Sequence, residues 1–279
     1  MTLVVARKFD SEIRIVCDGK ISYPDELNKG PLHGALKSVI IDNNNCICYA
    51  GSFNISIDAI RYLLNNNISD YTLIKDYLLS VNIKNNKQAD FVVGNTIGSM
   101  NLCKISNGKA EDIGSSTWIG DYKAFEKFQE YYHKKQIKEE IEEKLLIYAR
   151  MVSAMAELVR EGSCPSVGDF YIGIRSGPKG FNYLENANAF CVRQTISPNT
   201  LTAIRFGSAA EGGYAFSILT PNKTGIGAIG IHYTQGNLGA LFYPLISDKA
   251  IIYRNVNYDG FTLKVKEDYE ITLSGIKIG

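Results

Sequence analysis

Alternation of apolar and polar residues predicts that the chain begins with pairs of β-strands. LVVARKF and IRIVCDG are rich in β-branched residues and flank a polar turn at 10–12. Two further pairs follow, one at KSVIID and CICYAG around an asparagine turn, the other at FVVGNTIG and MNLCKIS. The segment 23–35 contains two prolines and two glycines, so we predict a loop there.

Apolar residues at helical spacing predict helices between these strands. We expect them over 55–64, 73–81, 121–133 and 139–161. In the longest, Leu145, Tyr148 and Val152 share one face while charged residues fill the other. FYIGIRS and FNYL form another strand pair, and from residue 186 short alternating runs without a convincing long helix predict a mostly β region. This order favours an α+β fold with sheets between helical layers over a parallel βαβ alternation.

Composition and charge exclude several classes of function. The 279 residues include 30 basic and 29 acidic side chains, so nothing indicates a surface for nucleic acid. No apolar run reaches the length of a membrane span, and the start of the chain lacks the apolar core of a signal peptide. We therefore predict a cytoplasmic protein with no membrane partner and no nucleic-acid partner.

The spacing of cysteine, histidine and glycine gives no support to a metal site or a cofactor. The six cysteines are scattered through apolar surroundings and the three histidines lie far apart, so we predict buried free thiols and no metal. The stretch from Gly225 to Gly230 spells GxGxxG, but no helix is predicted after it, as a dinucleotide fingerprint requires. Close packing of glycine-rich strands is the favoured interpretation, and no cofactor is predicted.

A threonine directly after the start methionine is a candidate nucleophile. Removal of Met1 would give Thr2 its own base, because a free α-amine titrates at roughly 8 and is partly neutral near pH 7. The simpler interpretation is that Thr2 starts an edge strand and that Asp18-Gly19 is an ordinary turn pair. The neighbouring motifs must decide between the two.

Those motifs resemble the proteasome β-type subunits, especially the bacterial HslV-like peptidases, over residues 2 to about 187. The similar stretches are the MTLVV start, DGKIS, Lys37 at the next strand, CICYAG, EDIGSSTWIGDYKAFEKF and SVGDFYIGIRSGPKGFNYL. The resemblance implies an N-terminal nucleophile hydrolase with a four-layer αββα sandwich over residues 1–187. Residues 188–279 then form a mostly β C-terminal extension that a minimal subunit of that family lacks.

The resemblance also implies catalytic roles. Thr2 is the nucleophile, Lys37 lowers the cost of its alkoxide, and Asp18 pairs with Lys37. The backbone N–H of Gly51 faces the developing oxyanion. Ser166 supports the terminal amine.

Three further residues are candidates for binding the substrate, and two positions depart from the family. Tyr49 is expected at the base of the first specificity pocket, and Ser22 and Lys20 beside an extended peptide. Asp121 stands where the family has a serine, with Ser115 and Ser116 as nearby alternatives. Ser163 stands where the family has its second aspartate. These departures bear on the support of the terminal amine rather than on the fold.

We therefore predict a threonine peptidase or amidase that acts through an acyl-enzyme on a peptide or protein substrate. The resemblance implies a homo-oligomer, and an ATP-driven unfoldase is a candidate partner. One alternative is a transpeptidase or ligase like the archaeal connectases, which also resemble proteasome subunits and carry an extra C-terminal domain. Another is a catalytically inactive scaffold or binding protein, which would follow if Met1 were retained.

Overall fold

The structure is a computed structural model that describes residues 2–19, 34–134, 143–168, 170–191, 213–234 and 236–278. These residues form an α+β fold with five helices and three antiparallel sheets. Within these described ranges, no helix is both long enough and apolar enough to cross a membrane.

The strands of the described residues are numbered in chain order. They are β1 (Leu3–Lys8), β2 (Ile13–Asp18), β3 (Ser38–Ile40), β4 (Asn45–Gly51), β5 (Ala89–Asn95), β6 (Asn101–Ser106), β7 (Lys109–Asp112), β8 (Ser116–Gly120), β9 (Tyr171–Gly177), β10 (Gly180–Leu184), β11 (Asn186–Cys191), β12 (Gly213–Pro221), β13 (Ile229–Tyr233), β14 (Leu238–Phe242), β15 (Ile251–Arg254) and β16 (Leu273–Ser274). The helices are α1 (Phe53–Asn65), α2 (Tyr71–Lys84), α3 (Tyr122–Lys134), α4 (Glu143–Glu161) and α5 (Tyr258–Tyr269).

The first sheet has the strand order β10-β9-β2-β1-β8. Alternate residues of β1 face two different cores, as a strand's two-residue period requires: Val4 belongs to a central core and Val5 to a second one under α3 and α4. Both faces of this sheet are therefore covered. The predicted strand pairs at the start of the chain and at FYIGIRS and FNYL are confirmed, and β2 joins them into one sheet.

The second sheet has the strand order β3-β4-β5-β6-β7 and packs against the first sheet across the central core. Its other face carries α1 and α2, whose buried residues include Ile60 and Leu78. Asp70 begins α2 by accepting a hydrogen bond from the backbone N–H of Leu73 at 2.9 Å. The two predicted helices of this region are confirmed, each slightly longer than expected.

The third sheet has the path β11-β12-β13-β14-β15, with β16 paired to β12. Neighbouring residues along its strands face opposite sides, so that Ile218 belongs to the central core while Leu219 packs under α5. This sheet therefore extends the core of the first two sheets on one face and holds its own helix on the other. A Cβ at Gly227 would overlap the carbonyl oxygen of Ile40, so the GxGxxG stretch does pack closely on backbone, but against the end of β3 and not against another glycine-rich strand as predicted.

Two expectations from the sequence are wrong. The region after residue 186 does contain a helix, α5, which begins where the Asn257 side chain accepts a hydrogen bond from the Gly260 backbone N–H at 2.8 Å. Its apolar residues are few, and Phe261 and Val265 supply the buried contacts. The stretch SSTWIG also forms a strand, β8, where the sequence predicted only the approach to a helix.

The predicted helix over 139–161 is found from Glu143, and residues 139–142 lie outside the described part of the chain. Four of the cysteines are buried free thiols, as predicted, and a fifth, Cys164, is half-buried. Burial raises the pKa of the Cys17 thiol, with Cys48 adding to the effect. This thiol is therefore protonated at neutral pH and is not a competing nucleophile.

Candidate active site

The antiparallel hairpin of β1 and β2 brings Thr2 to Asp18. Val4 pairs with Cys17, so the start of β1 lies beside the end of β2. The Thr2 hydroxyl donates a hydrogen bond to Oδ1 of Asp18, and the backbone N–H of Leu3 donates to the same oxygen at 2.9 Å. Thr2 is only 2% exposed and Asp18 is fully buried. The candidate nucleophile therefore lies in the interior, held by a carboxylate.

Lys37 completes a buried charged set. Its Nζ donates to Oδ2 of Asp18 at 3.2 Å, and its side chain is only 5% exposed. A buried carboxylate is costly unless it is paired and hydrogen-bonded. Asp18 meets both conditions, since it accepts from a hydroxyl, a backbone N–H and an ammonium group. Lys37 and the Thr2 hydroxyl thus share one acceptor side chain.

A second set of contacts comes from the end of β8 and connects Thr2 with Ser166. The backbone N–H of Asp121 donates to the Thr2 carbonyl oxygen at 2.7 Å. The Ser166 hydroxyl donates to Oδ2 of Asp121 at 2.6 Å, while Oδ1 accepts from the first backbone N–H groups of α3. Asp121 is therefore at once the cap of α3, the partner of Ser166 and a backbone neighbour of Thr2.

The electrostatic environment favours the charged form of Asp121. Burial acts to raise the pKa of this carboxyl, but the Ser166 hydroxyl and the backbone N–H groups of Ala124 and Lys123 outweigh it, so the pKa is lowered. The site thus holds two carboxylates, one on each side of Thr2, and both are satisfied by named donors.

Gly120 allows β8 to approach Thr2 this closely. Its φ of 114° lies in the region that disfavours residues with a side chain, and a Cβ there would overlap the Thr2 carbonyl oxygen. The sequence did not reveal the role of Gly120. The signal that could have found it is a glycine directly before an aspartate that caps a helix.

Tyr49 and Gly51 both lie on β4, and Tyr49 is the one that contacts the site. The backbone N–H of Tyr49 donates to the carbonyl oxygen of Lys37 at 3.0 Å, which places Tyr49 directly beside the buried charged set. Gly51 ends the same strand at an exposed position, with φ at 92°. A Cβ at Gly51 would overlap the Gln88 carbonyl oxygen, so this turn of the backbone requires glycine.

The structure therefore links Thr2, Asp18 and Lys37 directly by hydrogen bonds and brings in Ser166 through Asp121. Ser163 is not part of this network, because its hydroxyl donates to the exposed Glu161. The predicted substrate-binding residues Lys20 and Ser22 lie outside the described residues, as does Met1.

Comparison of the chain with protein-family models and with curated proteins finds no match. In the parts of the chain that the structure describes, no group of three or more histidine, cysteine, aspartate or glutamate side chains is arranged to hold a metal ion.

Proposed function

We propose that the chain is a threonine-type N-terminal nucleophile hydrolase, a peptidase or amidase that uses Thr2 after removal of Met1. One observation carries the proposal: the buried Asp18 carboxylate accepts hydrogen bonds from both the Thr2 hydroxyl and the Lys37 ammonium group. A threonine that merely starts a strand needs no buried ion pair at its hydroxyl, and burying such a pair costs free energy. A nucleophilic hydroxyl, by contrast, benefits from a nearby positive charge, because that charge stabilises the alkoxide that forms.

The packing of the layers supports the αββα sandwich that this class of enzyme requires. α3 and α4 cover the outer face of the first sheet, and α1 and α2 cover the outer face of the second. The inner faces of the two sheets share the central core. The assignment to the proteasome-like class is part of the proposal.

In the proposed reaction, Thr2 Oγ1 forms a bond with the carbonyl carbon of a substrate amide, and its proton passes to the α-amine of Thr2. The electron pair on the resulting oxyanion then re-forms the carbonyl as the C–N bond breaks, and the amine leaves with a proton. Lys37 stabilises the developing alkoxide, and Asp18 holds Lys37 in place. The Gly51 backbone N–H is the proposed oxyanion donor, and one such donor contributes about 3 kcal/mol. Water releases the acyl group from Thr2.

Asp121 and Ser166 are the proposed support for the terminal amine. The Asp121 backbone N–H fixes the carbonyl end of Thr2, and its carboxylate, held by Ser166, adds negative charge on that side of the site. In the proteasome-like family the carboxylate is expected at the position of Ser163. We propose that the carboxylate of Asp121, between β8 and α3, takes over that role here.

Intact-protein mass spectrometry of the purified chain tests the proposal. We expect loss of Met1 and a single adduct after treatment with a small β-lactone, which opens to an ester on a terminal threonine. The Thr2→Ser variant should take the adduct, and Thr2→Ala should not. A retained Met1, or a chain that begins at Thr2 and takes no adduct, would favour the alternative of an inactive scaffold, and an adduct that persists in Thr2→Ala would place the reaction on another residue.

A connectase-like transpeptidase is the second candidate, and one observation favours it. Phe242 of the third sheet packs on Phe170 at 5.3 Å between ring centroids, and the backbone oxygen of Phe170 accepts from Gly19, next to Asp18. A sheet that covers the site in this way would limit access of water to the acyl group and favour transfer to another amine. The ratio of transfer product to hydrolysis product with an added amine distinguishes the two.

The homo-oligomer and the unfoldase partner stay predictions.

A further inference from the structure

The connection between β14 and β15 covers the pocket that contains Tyr49. We call residues 242–249, from Phe242 to Lys249, the closing segment. One wall of the pocket comes from the second sheet and its first helix, with Leu36, Tyr49 and Phe53; the opposite wall is the closing segment, with Tyr243 and Pro244. A part of the chain beyond the proteasome-like region thus completes a pocket of that region.

This pocket lies next to the proposed nucleophile. Leu36 directly precedes Lys37 in the chain, and the Tyr49 backbone N–H bonds the Lys37 carbonyl oxygen. Lys37 in turn reaches the Thr2 hydroxyl through Asp18. A side chain carried by the acyl part of a bound substrate would therefore enter at Tyr49, as expected for the first specificity pocket.

Arg61 holds the closing segment down. Its Nε–H donates to the Pro244 carbonyl oxygen at 2.6 Å, and its guanidinium also forms an ion pair with Asp248. Arg61 belongs to α1, which packs on the second sheet beside the pocket. The closing segment is therefore attached to the same element that forms the opposite wall.

The space that remains is very small. The space in the pocket that is available to water is about 10 Å³, which is near the lower limit for holding a single water molecule. A methyl group is of similar size, whereas a leucine or phenylalanine side chain is several times larger. The pocket can therefore admit no side chain beyond that of alanine without movement of the closing segment.

We propose that the closing segment restricts this enzyme to acyl donors with glycine or alanine at the residue whose carbonyl is attacked. The proposal rests on the proposed function, since it assigns the substrate class of the same site. Tyr243 and Pro244 are the specificity-determining residues, and Arg61 is a positioning residue that acts through them.

Two peptide vinyl sulfones that differ only at this residue, alanine or leucine, test the proposal. Thr2 Oγ1 forms a bond with the vinyl carbon β to the sulfone, which is the one attached to the alanine or leucine residue, and as the C=C π bond breaks the proton ends on the carbon next to the sulfone. Intact-mass spectrometry gives the rate of adduct formation for each probe, and the small β-lactone serves as a reference that does not use the pocket. The alanine probe is expected to react faster by about tenfold or more, as discrimination by a closed apolar pocket allows.

Three variants show whether the closing segment causes the selectivity. Tyr243→Ala enlarges the pocket, and Arg61→Gln removes both attachments to the closing segment. Each should bring the two rates within about threefold, mainly by accelerating the leucine probe. Arg160→Gln is the matched control, because it removes an exposed ion pair with Glu157 on α4, and it should keep the full ratio.

The outcomes separate this inference from the proposed function. Equal rates for the two probes in the wild type, with a normal β-lactone adduct on Thr2, overturn the closing segment as a filter and leave the nucleophile in place. A ratio unchanged in both Tyr243→Ala and Arg61→Gln also overturns it, as does a β-lactone adduct with no reaction of the alanine probe. Absence of every adduct from a chain that begins at Thr2 overturns the proposed function itself.

Discussion

At the scale of single residues, the central feature is that Asp18 serves two partners at once. The expected pairing was with Lys37 alone, yet the carboxylate also accepts from the Thr2 hydroxyl. The sequence could predict that Asp18 and Lys37 lie near each other, because the resemblance matches one to the end of a strand and the other to the start of the next. It could not reveal the direct bond to Thr2, which depends on the register of β1 against β2.

Removal of the Lys37 charge should destabilise the fold as well as abolish the reaction. Lys37→Met leaves Asp18 buried and without its ionic partner, which typically costs about 3–5 kcal/mol. Urea unfolding measures this cost. The double variant Asp18→Asn, Lys37→Met should recover much of the stability but none of the adduct formation. If Lys37→Met alone were as stable as the wild type, Asp18 and Lys37 would not form the buried ion pair described here.

The hydrogen bond from Ser166 to Asp121 should stabilise the fold mainly at pH values above the pKa of Asp121. The folded-state pKa of this carboxyl is lowered, so its contribution is present above the unfolded value of about 3.9 and is lost as the pH falls through the folded value. Ser166→Ala should cost about 1 kcal/mol at pH 7, since hydrogen bonds to charged groups are the stronger ones and this one is partly exposed. Urea unfolding at pH 7 and pH 3 measures the difference in free energy of unfolding between the wild type and Ser166→Ala. We expect this difference to be smaller at pH 3, and a larger difference at pH 3 would contradict the prediction.

At the scale of elements, periodicity predicted most strands and helices, because it reports local burial. β8 and α5 were missed for the same reason. In SSTWIG the apolar residues are too few to mark a strand, and in α5 only Phe261 and Val265 carry the buried face. Both elements are stabilised by contacts with distant parts of the chain, β8 with β1 and α5 with β14.

The approach of β8 to Thr2 predicts a strong effect of a side chain at Gly120. Gly120→Ala combines a positive φ with overlap on the Thr2 carbonyl oxygen, and it should cost about 2 kcal/mol or more. It should also slow adduct formation, because Thr2 must shift. Gly114→Ala is the control, as a Cβ there has open space, and it should stay within about 0.5 kcal/mol of wild type. Similar thermal midpoints for the two variants would count against the described position of β8.

At the scale of the whole molecule, the third sheet shares a core with the first two. The division into residues 1–187 and 188–279 follows the resemblance, yet Phe216 and Ile231 belong to the same core as Val39 and Ile47. The sequence could not show this, because shared burial between distant strands leaves no periodic signal. The structure thus gives the C-terminal region a place in the core as well as over the site.

Because the core is shared, a substitution that destabilises the third sheet should also lower the stability of the first sheet. Phe242→Ala removes a buried ring that packs on Phe170 and should cost about 3–5 kcal/mol. Trp118, the single tryptophan, lies on β8 of the first sheet, so its fluorescence reports unfolding there. The midpoint of that signal should fall in Phe242→Ala and stay unchanged in Leu263→Ala, an exposed position on α5. An unchanged midpoint in Phe242→Ala would indicate two regions that unfold independently.

The most direct test of the central claim is to find where the acyl group goes. A peptide amide or thioester with alanine as its acyl residue is mixed with the purified protein, quenched in acid, and digested for tandem mass spectrometry. We predict an acyl group on the side-chain oxygen of Thr2, at a terminus without Met1, and none in Thr2→Ala. An acyl group on any other residue, or product formed at the wild-type rate by Thr2→Ala, would contradict the claim that Thr2 is the nucleophile.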